Sequence, residues 1–82
     1  MKQSDAEIIG NALAEAGFDF AATLPADQLH ALQAWLAKSN RFTTVPVTNE
    51  GEGVAICAGA WMAGKMPVIV LETSGILYRP MR

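Results

Sequence analysis

Residues 41–71, RFTTVPVTNEGEGVAICAGAWMAGKMPVIVL, decide the fold because two apolar runs flank a segment of helical length. Residues 41–47 are rich in β-branched side chains and predict a strand, which Pro46 weakens near its end. Residues 66–71 are continuously apolar, as is typical of a buried parallel strand. Residues 50–64 are rich in glycine and alanine, and the middle of this segment is apolar on every side. They predict a buried helix with close backbone contacts, although each interior glycine costs about 1 kcal/mol relative to alanine.

The residues before this stretch also predict helices and strands in alternation. Ser4 followed by Glu7 forms a capping-box pattern for a first helix, and Gly17 supplies its stop. Residues 18–24 predict a buried strand, and Pro25 predicts the first position of a second helix. The apolar residues on the inner face of that helix are Leu29, Leu32, Trp35 and Leu36. The predicted order of elements is therefore α-β-α-β-α-β.

Alternating helices and strands predict an α/β fold, a three-layer α/β/α arrangement with a parallel sheet and right-handed crossovers. Ligands of such sheets bind beyond the carboxyl ends of the strands. The segments at that edge are residues 23–27, 47–52 and 72–75. Because a sheet of three parallel strands leaves its edges exposed, we expect the chain to be a fragment or a truncated product.

Composition narrows the class of protein. A chain of 82 residues holds one small domain, and its 51% hydrophobic and 17% charged residues predict that a partner covers part of the surface. Six basic and eight acidic residues provide no basic stripe for nucleic acid. Without a signal peptide, a membrane span or a second cysteine beside Cys57, we expect a soluble cytoplasmic protein. Trp61 and Met62 are expected in the core in preference to a subunit interface.

Several short motifs carry a family resemblance. They are VPVTNEGEGVA at residues 45–55, AGA at 58–60, AGK at 63–65, and Ser74-Gly75 after the last apolar strand. Together they resemble the pyrimidine-binding domain of thiamine diphosphate enzymes, in particular the sulfopyruvate and phosphonopyruvate decarboxylase branch. The resemblance implies that residues 1–75 form the first half of such a domain and that residues 76–82 are an irregular C-terminal tail.

The resemblance implies a thiamine diphosphate-dependent decarboxylation of a 2-keto acid, the activity of a carboxy-lyase. Glu50 occupies the position of the family's cofactor-activating glutamate. Its carboxyl group is expected in a partly desolvated pocket, hydrogen-bonded to a ring nitrogen of the aminopyrimidine. Without the resemblance, Glu50 is better explained as an acid that interacts with the dipole in the first turn of a helix, and Glu52 is explained in this way even with it.

The resemblance implies further contacts to the cofactor and the substrate. The expected cofactor-binding residues are Asn49, Glu50, Thr73, Ser74 and Gly75, and the expected substrate-binding residues are Pro25 and Asp27. Thr73 stands where the branch has asparagine, so it lacks the paired donor and acceptor of an amide. Asp27 stands where the branch has serine, and a carboxylate there would repel a sulfonate or phosphonate.

The family holds the cofactor's diphosphate through Mg²⁺ in a separate domain, usually marked by a G-D-G motif that these 82 residues lack. The resemblance therefore implies a diphosphate-binding subunit or domain as partner, a homo- or hetero-oligomer, and no activity for the chain alone. Two alternatives remain open. One is a non-catalytic remnant of the domain that acts in assembly or regulation. The other is a flavodoxin-like binding domain, although the expected glycine-rich phosphate loop is replaced by residues 24–27.

Overall fold

The computed structural model describes residues 1–72. The elements, in chain order, are helix α1 (Gln3–Glu15), strand β1 (Phe20–Thr23), a 3₁₀ turn (Asp27–Leu29), helix α2 (His30–Lys38), strand β2 (Thr43–Pro46), helix α3 (Glu50–Met62) and strand β3 (Pro67–Val70). This order confirms the predicted alternation of helices and strands. The predicted loop residues Thr73, Ser74 and Gly75 and the predicted tail at 76–82 lie outside the described residues.

Glycines end two of the helices. Gly17 follows α1 with φ +101°, and Gly64 follows α3 with φ +94°, a backbone region that side chains with a Cβ rarely adopt. The residue after each glycine donates a backbone hydrogen bond to the last turn of its helix. The Phe18 N–H donates to the Leu13 carbonyl at 3.1 Å, and the Lys65 N–H donates to the Ala60 carbonyl at 2.9 Å. Both ends are Schellman motifs, so the expected stop at Gly17 is confirmed.

The predicted starts of the first two helices were wrong. Helix α1 begins at Gln3 with Lys2 as its N-cap, and no side chain caps it. Ser4 is therefore already helical and cannot adopt the extended conformation that a capping box requires. Pro25 is not the first residue of the second helix, because the extended Ala26 follows it and a 3₁₀ turn intervenes before α2.

The sheet is parallel, with strand order β2-β1-β3. The connection from β1 to β2 crosses the sheet in one direction, and the connection from β2 to β3 crosses it in the other. Because such crossovers are right-handed, α2 and α3 lie on opposite faces of the sheet. Helix α1 packs against α2, while α3 packs against β1 and β3. The architecture is therefore the expected three-layer α/β/α.

The two faces of the sheet bury different numbers of side chains. On the α1 and α2 face, a cluster of buried side chains contains Ala6, Ala14, Ala21, Leu32, Leu36, Phe42 and Val70. Helix α3 presents a narrower inner stripe to the sheet, and that stripe consists of Gly53, Ile56, Cys57 and Ala60. A Cβ at Gly53 would contact Val47 and Ile69, which places this stripe directly on the sheet.

The exposure of the outer face of α3 contradicts a further expectation. Trp61 is 62% exposed and Met62 is 82% exposed, so neither side chain lies in the core of this chain. Val54 is also exposed. Beyond its first turn the helix is apolar around its whole circumference, yet only one stripe is covered by the sheet. The prediction of a buried helix was therefore wrong for its outer half.

Within residues 1–72, no helix is both long enough and apolar enough to cross a lipid bilayer.

Candidate functional site

The carboxyl ends of the three strands are aligned. Thr23 at the end of β1 is in register with Pro46 of β2 and Val70 of β3. Two further backbone hydrogen bonds extend this alignment, from the Val47 N–H to the Thr23 carbonyl and from the Leu24 N–H to the Val70 carbonyl, both 2.9 Å. The loops that follow β1 and β2 therefore leave the same edge of the sheet, as the sequence predicts. We call this the carboxyl edge.

A capping network forms the start of α3 at this edge. Asn49 is the N-cap, and its Oδ1 accepts a hydrogen bond from the Glu52 N–H at 2.8 Å. The Glu52 carboxylate turns back and accepts from the Thr48 N–H at 2.7 Å and from Thr48 Oγ1 at 3.0 Å. This arrangement is a capping box displaced by one residue. Asn49, expected to bind the cofactor, thus uses its side-chain oxygen to cap the helix.

The bonds from the Thr48 backbone and side chain lower the pKa of Glu52 below its ordinary value of 4.5. Because the pKa is lower in the folded chain, the carboxylate stabilises the fold above the unfolded pKa, and this contribution is lost as the pH falls through the folded pKa. We expect Glu52→Gln to lower the melting temperature at about pH 7 and to have little effect at about pH 3. Melting curves of Glu7→Gln, which removes an exposed α1 carboxylate, provide the control. An equal loss at both pH values would contradict the prediction.

Glu50 is the first residue of α3 and its side chain is exposed. Residues 1–72 supply no hydrogen-bond partner to its carboxylate, whereas the neighbouring Asn49 and Glu52 are occupied by the cap. Glu50 is thus available for a ligand at the carboxyl edge. The desolvated pocket expected around it is not formed by the described residues of this chain, so any such cover must come from other residues.

The loop after β1 carries the two expected substrate contacts. Pro25 and Asp27 are both exposed at the carboxyl edge, with Asp27 opening the 3₁₀ turn. Gln33 of α2 holds this loop, because its Nε2 donates to the Leu24 carbonyl at 2.7 Å. The sequence pattern does not single out Gln33, because its only signal is an amide in the first half of a helix that follows a loop.

The carboxyl edge is acidic. Its exposed charged residues within 23–29, 47–52 and 71–72 are Asp27, Glu50, Glu52 and Glu72. These segments contain no lysine or arginine. The described part of this edge therefore offers hydrogen-bond acceptors and no cation to a ligand.

Other chemical groups lie away from this edge or are engaged elsewhere. Burial raises the pKa of the Cys57 thiol, whose Sγ donates to the Val68 carbonyl at 3.8 Å, so it is a poor nucleophile. His30 is exposed. His30 borders an open groove of about 390 Å³ beside α1 and α2, and Trp35 also lines this groove. Among residues 1–72, no three His, Cys, Asp or Glu side chains are grouped to hold a metal ion.

Curated proteins of known name match most of the chain. It is 36% identical over 76 residues to the sulfopyruvate decarboxylase subunit alpha of Methanothermobacter thermautotrophicus, covering 93% of this chain and 46% of that protein. This chain is a relative of the sulfopyruvate decarboxylase α-subunits. The corresponding subunit of Methanocaldococcus jannaschii is 37% identical over 68 residues, covering 83% of this chain and 40% of that subunit. The family resemblance inferred from the motifs is confirmed.

The chain spans less than half the length of these two α-subunits. The sulfopyruvate decarboxylase of Methanosarcina acetivorans is 37% identical over 62 residues, which are 76% of this chain and 16% of that protein. The related segment therefore also occurs within a polypeptide more than twice as long as the α-subunits. No protein-family model and no solved structure matches the chain.

Proposed function

We propose that this chain is the pyrimidine-binding part of a thiamine diphosphate-dependent 2-keto acid decarboxylase and that it works with a diphosphate-binding subunit or domain. The observation that carries the proposal is its relationship to sulfopyruvate decarboxylase α-subunits. The position of Glu50 supports it, since this carboxylate opens a helix at the carboxyl edge of a parallel sheet. Its neighbours are occupied by the cap, and Glu50 is not.

The described residues fit one end of the cofactor. A protonated Glu50 carboxyl can donate a hydrogen bond to a pyrimidine ring nitrogen, and the exposed first turn of α3 leaves room for a flat ring. Thr73, Ser74 and Gly75 are proposed to border the same ring from the loop after β3. Bound thiamine diphosphate supplies the electron sink for decarboxylation. Glu50 contributes the proton at the ring nitrogen, and Asn49 fixes the helix that orients it.

The acidity of the carboxyl edge indicates which parts of the cofactor and the substrate are bound by the partner. A diphosphate carries negative charge and needs cations, which the described part of this edge does not offer. We therefore assign the diphosphate to the partner, and the Mg²⁺ with it, because residues 1–72 hold no group of three side chains that could bind a metal ion. The same reasoning applies to a 2-keto acid with a second anionic group, because Asp27 would repel it. Pro25 and Asp27 then border the substrate without binding its anionic head.

Reconstitution tests the proposal. The 82-residue chain is mixed with the diphosphate-binding β-subunit of a related sulfopyruvate decarboxylase, thiamine diphosphate and Mg²⁺. Release of CO₂ and aldehyde is measured with sulfopyruvate, phosphonopyruvate and pyruvate. We expect turnover only when both polypeptides are present. If calorimetry of the mixed subunits shows a complex but no heat from thiamine diphosphate, the chain is an assembly or regulatory module and the decarboxylase proposal fails.

A further inference from the structure

The hydrogen bonds at the start of α3 join the residues on either side of Glu50. Glu52 Oε1 accepts from both the N–H and the hydroxyl of Thr48, at 2.7 and 3.0 Å. We call these two bonds the Thr48–Glu52 bridge. In the other direction, Asn49 Oδ1 accepts from the Glu52 N–H at 2.8 Å. Glu50 lies between the two residues that the bridge joins, although its own side chain takes no part in it.

The first turn of α3 depends strongly on such bonds. Residues 50–53 are Glu-Gly-Glu-Gly, and each glycine weakens a helix relative to alanine. The first N–H groups of any helix also lack a partner within the helix. The bond from the Gly53 N–H to the Asn49 carbonyl is long for a helix, at 3.2 Å. The backbone of this turn therefore needs bonds from side chains to keep its conformation.

The bridge connects this turn to a rigid part of the sheet. Val47, the residue before Thr48, is only 3% exposed, and its N–H donates to the Thr23 carbonyl of β1 at 2.9 Å. Thr48 therefore follows a residue that the sheet holds in place. Because the bridge joins Thr48 to Glu52, the turn that carries Glu50 is held relative to the carboxyl ends of the strands.

The direction of the Glu50 side chain depends on the backbone of this turn. Residues 1–72 give its carboxylate no hydrogen-bond partner, so the backbone at residue 50 determines where its Cα–Cβ bond points. A shift of about 1 Å in a reacting group can reduce turnover by about a hundredfold. Supporting hydrogen bonds around such a group therefore affect the reaction without touching the substrate.

We propose that Thr48 and Glu52 are positioning residues for Glu50, and that the bridge between them holds the first turn of α3 so that the Glu50 carboxyl faces the pyrimidine ring. This inference rests on the proposed function, which supplies the ring. A helix cap that only stabilises the fold would change the melting temperature and leave the turnover of the folded chain unaltered. The two roles are therefore separable by experiment.

Four variants separate them. Glu52→Ala removes both bonds of the bridge. Thr48→Val removes only the hydroxyl and keeps the branched shape of the side chain, whereas Thr48→Ser keeps the hydroxyl. Gly64→Ala is the control for stability alone, because it strains the other end of α3, where φ is +94°.

The first measurement needs no cofactor. Nitrogen-15 relaxation of the 82-residue chain gives backbone order parameters for Glu50 and Gly51. We expect values of about 0.85 in the unaltered chain, in Thr48→Ser and in Gly64→Ala, and a fall to about 0.6 in Glu52→Ala, with Thr48→Val between them. If the turn stays ordered in Glu52→Ala, the bridge does not hold it and the proposal is wrong.

The second measurement uses the complex reconstituted with the diphosphate-binding β-subunit, at a temperature where every variant is folded. We expect Glu52→Ala to lower kcat by about tenfold or more, and Thr48→Val to lower it less. The affinity for thiamine diphosphate should stay nearly unchanged in calorimetry, because the partner binds the diphosphate. Thr48→Ser and Gly64→Ala should keep the kcat of the unaltered chain.

The outcomes distinguish this inference from the proposed function. A kcat for Glu52→Ala equal to that of Gly64→Ala overturns the positioning role, even if both variants melt at a lower temperature. A complex of the unaltered chain that shows no turnover contradicts the decarboxylase proposal instead. The order parameters then still decide whether the bridge holds the turn that carries Glu50.

Discussion

Glu50→Gln is expected to reduce decarboxylation by the reconstituted complex by at least about a hundredfold. The substitution keeps the size of the side chain and a hydrogen-bond donor, but the amide cannot exchange a proton with a ring nitrogen. Binding of thiamine diphosphate should therefore persist while turnover falls. Steady-state assays give the turnover, and calorimetry on the same complex gives the cofactor affinity. A fall in kcat with nearly unchanged affinity separates a role in the chemistry from a role in binding.

Glu7→Gln is the control for this prediction, because it removes one exposed carboxylate from a helix at another place in the fold. Its activity should equal that of the unaltered chain. The Glu50→Gln chain should also melt normally, since residues 1–72 give the Glu50 carboxylate no bond that would be lost. A Glu50→Gln complex that keeps most of its activity would remove this residue from the mechanism.

The sequence predicted the order and layers of the fold because apolar runs and helix-ending glycines are local signals. Gly17 shows this, since a glycine after an apolar helical stripe leaves few alternatives to a helix end. The carboxyl edge was predictable for the same reason: once the strands are parallel, their ends must meet. The relation to sulfopyruvate decarboxylase α-subunits was visible in short motifs, and the comparisons confirmed it.

The burial of α3 could not be predicted, and the reason is physical. A helix that is apolar on every side gives no periodic signal to distinguish its inner stripe from its outer one. Trp61 was therefore placed in the core on size and hydrophobicity alone, although the sheet covers only the stripe that contains Ala60. The capping role of Glu52 could not be predicted either, because its hydrogen bonds with Thr48 depend on the backbone conformation just before the helix.

Gly10→Ala is expected to destabilise the fold by about 1–3 kcal/mol, the usual cost of adding atoms to a packed site. Gly10 is buried on α1 where it meets α2. A Cβ there would lie 2.9 Å from Trp35 Cδ2 and closer still to Cε3 and Cζ3. Phe42 packs edge-on against the indole with ring centroids 6.4 Å apart, so a shift of the indole away from α1 would disturb this contact. The clash outweighs the gain of about 0.5–1 kcal/mol that alanine normally gives a helix.

Gly59→Ala is the matched control for Gly10→Ala, since Gly59 also lies inside a helix but its Cβ would meet nothing within 4 Å. It should raise the melting temperature, whereas Gly10→Ala should lower it by about 4–8 °C for each kcal/mol lost in a domain of this size. Dilute samples keep association out of both measurements. A double-mutant cycle identifies the cause: Trp35→Leu makes room for the new methyl group, so Gly10→Ala should cost less in that background. If the two substitutions are additive, or if Gly10→Ala stabilises the chain as Gly59→Ala does, the close packing of α1 on Trp35 is not what requires glycine at position 10.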